Sequence, residues 1–101
     1  MSKIPKGQVI LRLNYEKKAD KFLPRNSNRL SKDDVKLLVI KAVKKLTGKN
    51  VNVDLAKMKG EYEGYFRIRK GDLRIIFNAD EDKNLITVTI TNIDLRRSVY
   101  K

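Results

Sequence analysis

The chain has 101 residues, which is enough for one domain and leaves no room for a second. It carries 24 Lys and Arg residues against 12 Asp and Glu, so its formal net charge is +12. The absence of both Cys and His excludes disulfides, thiolate metal sites, cysteine nucleophiles, zinc hydrolases, Ser-His-Asp triads and His-based ribonucleases. We therefore expect a single basic domain, residues 1–101, that uses neither a metal nor an organic cofactor.

Neither a membrane span nor a signal peptide is expected. The longest wholly apolar run covers only residues 37–40, and the N-terminal MSKIPKG lacks the apolar segment of a secretory signal. Apolar residues make up 41% of the chain, which is enough to form one small core. These features predict a cytoplasmic protein without a membrane partner.

The positive charge is concentrated in the first half of the chain. Residues 1–50 hold 14 basic and 4 acidic side chains, a net of +10, whereas residues 51–101 hold 10 and 8, a net of +2. Such a surface favours a polyanion, because neutralising phosphates releases counterions. An acidic protein would fit the same surface, and a basic surface that serves only solubility is a further alternative.

The first half predicts one strand and a first helix. Residues 8–13 (QVILRL) are apolar and β-branched at the start, which is typical of a strand. Residues 15–23 (YEKKADKFL) place apolar side chains at helical spacing, and Pro24 is expected to end that helix. The polar residues 25–30 then form a turn.

A second helix is predicted over residues 32–47. Ser31 is a capping residue, Asp33 and Asp34 suit the positive end of the helix dipole, and Gly48 stands where a C-terminal cap belongs. One face is apolar at the spacing i, i+3, i+4, i+7, i+8 and i+11, comprising Val35, Leu38, Val39, Ala42, Val43 and Leu46.

The second half changes to the period of β-strands. Strands are predicted over residues 65–69, 73–78 and 85–91, joined by turns at residues 70–72 and 79–83. Three strands with short turns form an antiparallel meander. The predicted fold is α+β, in the order β-α-α-β-β-β, with two N-terminal helices packed on one face of a small twisted antiparallel sheet.

The predicted core joins the second helix to the apolar face of the meander. From the helix it takes Val35, Leu38, Val39, Ala42 and Leu46, and from the strands Phe66, Ile68, Ile75, Phe77, Ile86, Val88 and Ile90.

The arginines of the second half form a candidate anion site. Arg67 and Arg69 share one face of their strand, Arg74 lies on the paired strand, and Arg96 and Tyr100 follow the last strand. If the strands pair as predicted, these side chains converge on the exposed face or lower edge of the sheet. Guanidinium groups bind phosphate oxygens bidentately, so the cluster suits a phosphodiester. The alternative is that each arginine is a solvated partner of a nearby carboxylate, namely Glu61, Glu63, Asp72 or Asp94.

Two segments of the chain resemble a known family. Residues 64–77 (GYFRIRKGDLRIIF) resemble the hairpin of the RelE/ParE toxin superfamily, which usually reads RIRVGDYRVIY. Residues 96–100 (RRSVY) are similar to its C-terminal ending, R-x-x-VY. The resemblance covers most of the chain and is specific from about Leu55 onward.

The resemblance implies the toxin of a type II toxin–antitoxin pair. Members on the RelE side enter the ribosomal A site and cut mRNA by attack of a ribose 2′-OH on the adjacent phosphate. By the same resemblance the partners are an acidic antitoxin, the ribosome with its 16S rRNA, and mRNA. Arg67 and Arg69 occupy the places of two basic residues that are often Lys, Arg74 and Arg96 match active-site arginines, and Tyr100 matches a terminal Tyr that orients or stacks on the substrate base.

Two functions from different classes fit this resemblance. The first is a ribosome-dependent mRNA endonuclease, and the second is a ParE-like inhibitor of DNA gyrase that performs no chemistry. Basic residues and a terminal Tyr at all the matching positions favour the endonuclease. The arginines at positions 67 and 69 leave the identity of the general base open, because arginine is a poor general base.

Overall fold

The computed structural model describes residues 10–26 and 30–95. Within them the chain forms five strands, two α-helices and one 3-10 turn. In chain order these are β1 (Ile10–Tyr15), α1 (Lys17–Arg25), α2 (Lys32–Leu46), β2 (Asp54–Lys57), the 3-10 turn (Gly60–Tyr62), β3 (Phe66–Lys70), β4 (Leu73–Asp82) and β5 (Leu85–Leu95).

The strands form one mixed sheet in the order β1-β5-β4-β3-β2. The α+β class and the helices preceding an antiparallel meander are confirmed, but the prediction of an all-antiparallel sheet is wrong, because β1 pairs with β5 in parallel. Strand β1 leads into two helices instead of a hairpin turn, and such a connection allows parallel pairing. The strand β2 was not predicted, since its four residues at the sheet edge give too short a pattern.

Local signals define the ends of α2. The Ser31 Oγ accepts a hydrogen bond from the Asp34 backbone N–H at 3.2 Å, and the Asp34 carboxylate accepts one from the Ser31 N–H at 2.9 Å. The bond from the Ser31 backbone N–H is the main cause that lowers the pKa of the Asp34 carboxyl. At the other end Gly48 has a φ of 97°, and the N–H groups of Gly48 and Lys49 donate to the carbonyls of Lys45 and Lys44. The predicted cap residues at both ends are confirmed.

Helix α1 differs from its prediction at both ends. Tyr15 belongs to β1, where it pairs with Ile90, so the helix begins two residues later than predicted. Pro24 lies inside the helix, which ends at Arg25. In a last turn the fixed φ of proline suits the helix and only one backbone hydrogen bond is lost. The Asn26 side chain donates to the Phe22 carbonyl at 2.9 Å and so satisfies one of the terminal acceptors.

The β4–β5 hairpin is longer than predicted. Residues 79–82 were predicted as a turn, but they continue β4 in register with residues 85–88 of β5. The chain reverses at Lys83, which has a φ of 56°, and Asn84. Strand β5 continues to Leu95, beyond the predicted end at residue 91.

An irregularity in β5 determines which side chains share a face near its end. Phe77 of β4 pairs with Ile90, whereas the preceding Ile76 pairs with Asn92, so Thr91 is an additional residue. The Thr91 hydroxyl donates to the Ile76 carbonyl at 3.1 Å. Such a bulge shifts the alternation by one residue. Ile93 therefore joins Ile90 on the helix-covered face, and Asp94 moves to the opposite face.

The core lies between the two helices and one face of the sheet, which we call the inner face. Its buried residues include the predicted Val35, Leu38, Val39, Ala42, Ile68, Ile75, Phe77, Ile86, Val88 and Ile90. Phe66 is partly buried against this cluster and stacks on Phe77 at a centroid distance of 5.5 Å. Leu46, in the last turn of α2, is only partly buried and lies outside the cluster. Neither helix in the described ranges is long and apolar enough to cross a membrane.

Candidate nucleic-acid interface

The face of the sheet opposite the helices, which we call the outer face, holds three of the predicted arginines. Strand alternation places Arg67 and Arg69 together on β3, because Phe66 and Ile68 face the core. Arg74 on β4 is the direct cross-strand partner of Arg69. The structure thus brings Arg67, Arg69 and Arg74 together, as the sequence predicted.

Asp94 holds Arg74 in a bidentate ion pair. The Nε and Nη2 atoms of Arg74 donate to the two carboxylate oxygens at 3.1 and 3.0 Å. The hydrogen bond to Asp94 is the main cause that raises the pKa of Arg74, so this guanidinium stays charged throughout the physiological range. One edge of the guanidinium is occupied, and within residues 10–26 and 30–95 neither Nη1 nor the other N–H of Nη2 has a partner.

The contact between Arg67 and Asp54 is weaker. A single Nη2 atom of Arg67 approaches the Asp54 Oδ1 at 3.4 Å, and the carboxylate belongs to the exposed edge strand β2. A long, single contact with an exposed carboxylate contributes little stability. An incoming anion could displace this carboxylate at small cost, which distinguishes Arg67 from Arg74.

Arg69 has no ion pair among the described residues, and its direct cross-strand neighbour, Arg74, carries the same positive charge. Like charges at opposite positions are unfavourable, and Asp94 offsets only the charge on Arg74. The Nε atoms of Arg67 and Arg69 are buried without a hydrogen-bond partner in the described part of the chain. The face therefore has more guanidinium donors than acceptors, and an oxygen-rich anion would correct this imbalance.

The three arginines are partly exposed, with side-chain exposures of 23% for Arg67 and 34% for Arg74. A groove of about 540 Å³ lies between the start of α2 and the β3–β4 turn, and one of about 580 Å³ lies beside the β2–β3 connection. Neither groove is lined by Arg67, Arg69 or Arg74. A partly exposed face outside these two grooves suits a polymer better than an enclosed small molecule.

Two of the five predicted site residues, Arg96 and Tyr100, lie outside the described residues. The interpretation that each arginine is simply neutralised by a carboxylate holds fully only for Arg74. The partner Asp94 was among the named alternatives, whereas Asp54 was not, because β2 was not predicted. Asp94 reaches the outer face because the bulge in β5 shifts the alternation of its side chains by one residue.

We expect Asp94→Ala to release the Arg74 side chain while the fold persists. The pair is about one-third exposed, so the loss of unfolding free energy should be about 1 kcal/mol or less. In side-chain ¹⁵N–¹H spectra, the Arg74 Nε–H signal should be protected from solvent exchange in the native protein and lose this protection in the variant. Arg12, exposed on β1, provides the unprotected reference. An equally protected Arg74 signal in both proteins would contradict the assigned ion pair.

Comparisons with known proteins address the fold. No protein-family model matches the sequence, and curated protein sequences give no significant match. A chain of the DinJ–YafQ toxin–antitoxin complex from E. coli aligns with a TM-score of 0.62 at 13% identity, covering 92% of this chain and 100% of that one. A chain of the RelBE2 toxin–antitoxin complex from Mycobacterium tuberculosis aligns at 0.53 and 23% identity, covering 87% and 100%.

A third similar structure is the YoeB/ParE toxin from Agrobacterium tumefaciens, with a TM-score of 0.58 at 16% identity, covering 83% of this chain and 97% of that one. All three likenesses extend over almost the whole length of the known chains. The resemblance seen in the hairpin is thus confirmed at the level of architecture, and the chain has the fold of the RelE/ParE toxin superfamily.

Proposed function

We propose that the protein is the toxin of a type II toxin–antitoxin pair and that it acts as a ribosome-dependent mRNA endonuclease in the cytoplasm. The observation that carries the proposal is the cluster of Arg67, Arg69 and Arg74 on one partly exposed face, with only two carboxylates among the described residues to oppose them. Its ligand in this proposal is the phosphodiester backbone of mRNA.

The proposed RNA cleavage is compatible with a site made of arginines, which stay charged near neutral pH. The ribose 2′-oxygen attacks the adjacent phosphorus, the bond to the 5′-oxygen breaks, and negative charge develops on the phosphoryl oxygens. Guanidinium groups stabilise that charge, and the ribosome holds the mRNA in the geometry of attack. Arg74 is a charge stabiliser and not a base, because its pKa is raised by Asp94.

The similar structures support the choice of partner. The DinJ–YafQ and RelBE2 structures are toxin–antitoxin complexes, and from them we infer a cognate antitoxin for this chain. We propose that this antitoxin is acidic and that it covers the two helices and the outer face. The proposed ribosomal partner, including 16S rRNA, follows from the resemblance and from the basic character of the chain.

Toeprinting on programmed ribosomes tests the endonuclease directly. We expect new 3′ ends within the A-site codon when both the protein and ribosomes are present, and intact mRNA when either is omitted. Intact mRNA together with growth inhibition in cells would contradict the endonuclease. Inhibition of gyrase supercoiling would then support the ParE-like alternative.

Antitoxin binding should depend strongly on salt. Residues 1–50 carry a net charge of +10, and α1 and α2 expose several lysines, including Lys36 and Lys41. Screening of this charge should weaken the affinity about tenfold or more between low and high ionic strength, as measured by titration calorimetry. The double variant Lys36→Gln/Lys41→Gln should reduce this dependence. Lys83→Gln, on the β4–β5 turn, is the control, and an affinity that is independent of salt would contradict the electrostatic argument.

A further inference from the structure

The connection between β2 and β3 presents an exposed aromatic ring. Tyr62 is 47% exposed, and it is the only aromatic residue among the large apolar side chains exposed in the described ranges. Its ring contacts that of Tyr65 in an edge arrangement, with centroids 6.0 Å apart and planes at 89°. This contact uses one side of Tyr62 and leaves about half of the residue open to solvent.

The backbone around Tyr62 is held in a hydrogen-bonded turn. Gly60 and Gly64 have φ angles of 69° and 94°, in the left-handed region that other residues rarely adopt. The Glu63 N–H donates to the Gly60 carbonyl and the Tyr65 N–H to the Tyr62 carbonyl, at 3.1 and 2.9 Å. The ring is therefore presented by a hydrogen-bonded turn, which reduces the entropy that a ligand must overcome.

Tyr62 shortly precedes β3, the strand that carries Arg67 and Arg69. Tyr65 immediately precedes β3, and the Met58 N–H donates to its carbonyl at 2.9 Å, so the β2–β3 pairing extends to this residue. Arg67 follows Tyr65 by two residues, so the Cα atoms of these two residues are about 7 Å apart at the rise of a strand. The Tyr62 phenol also contributes, after Asp94, to raising the pKa of Arg74, so it lies within electrostatic range of that guanidinium.

Proteins that bind single-stranded RNA usually combine phosphate-binding cations with exposed aromatic rings. The base lies one sugar away from its phosphate, and unpaired bases stack on aromatic side chains. We propose that Tyr62 is the stacking platform for an unpaired nucleobase of the RNA strand whose phosphates bind the outer-face arginines. The inference rests on the proposed function and assigns a base-binding position to the same face.

The chain contains no Trp, so Tyr62→Trp introduces a single fluorescent reporter at the proposed platform. We expect a short single-stranded RNA to quench its emission, because a stacked base quenches indole fluorescence. An abasic oligonucleotide of equal length and charge should bind through its phosphates without this quenching. Adding Arg69→Ala should weaken binding but leave the quenching at saturation unchanged. Equal quenching by the abasic strand would overturn the stacking proposal.

Cleavage on programmed ribosomes gives a second readout. Tyr62→Ala should raise the protein concentration needed for half-maximal cleavage about 5- to 140-fold, the range corresponding to the loss of one stacked base. Tyr62→Phe keeps the ring and should restore most of this loss. Leu37→Ala removes another exposed apolar side chain, which lies on α2, and it is the unchanged control.

The two readouts separate the inference from the proposed function. Base-dependent quenching without cleavage would reject the endonuclease and support the stacking site. Cleavage by Tyr62→Ala at wild-type concentration would reject the stacking site and leave the endonuclease in place. A ring-dependent loss of cleavage supports the site even when free RNA produces no quenching. The absence of both quenching and cleavage would overturn both proposals.

Discussion

Arg74→Ala should fold, bind the antitoxin and lose most of its mRNA cleavage. In the proposed reaction the guanidinium stabilises charge that develops only in the transition state. Removing a preorganised group of this kind typically lowers the rate by ~10²–10³, or about 2.7–4 kcal/mol. Single-turnover cleavage on programmed ribosomes, at saturating protein, measures the effect on the chemical step.

The matched control for this experiment is Arg12→Ala. Arg12 is an exposed arginine on β1 and pairs with Thr87, at the opposite end of the sheet from Arg74. Its removal lowers the net charge by the same amount and should change the rate by less than about twofold. Equal losses in the two variants would indicate that net charge, and not the position of Arg74, is responsible.

The growth phenotype extends the test to predicted residues outside the described ranges. Arg96→Ala and Tyr100→Ala should also relieve growth inhibition, and Tyr100→Phe distinguishes a stacking ring from a required hydroxyl. If Arg74→Ala, Arg96→Ala and Tyr100→Ala all inhibit growth fully, an arginine-based nuclease site is untenable. The non-catalytic inhibition of gyrase would then become the favoured function.

Leu38→Ala should lower the free energy of unfolding by ~2–5 kcal/mol. Leu38 is 7% exposed and belongs to the cluster that joins α2 to the inner face of the sheet. The adjacent Leu37 is 61% exposed, so Leu37→Ala makes the same chemical change outside the core and should cost less than about 0.5 kcal/mol. Urea unfolding of both variants measures the difference. If Leu38→Ala loses less than about 1 kcal/mol of unfolding free energy, the assignment of the buried face of α2 is wrong.

The sequence determined the elements whose signals are local. The cap at Ser31, the apolar spacing of α2 and the left-handed residue Gly48 lie within a few residues of the hydrogen bonds that they make. The alternation of β3 placed Arg67 and Arg69 on one face for the same reason, since neighbouring side chains of a strand point to opposite sides. The RIRKGDLR hairpin is also a local feature, because its two strands and turn lie within a few consecutive residues. The resemblance to the RelE/ParE toxins could therefore be seen in the sequence.

Only the tertiary structure decided which groups oppose and support the arginines. Asp54 reaches Arg67 through the pairing of β2 with β3, and Asp94 reaches Arg74 because a bulge at Thr91 reverses the alternation of β5. The parallel pairing of β1 with β5 likewise joins segments about 75 residues apart. Pairing, register and bulges are selected by the burial of the whole core, so a local pattern of residues does not contain them.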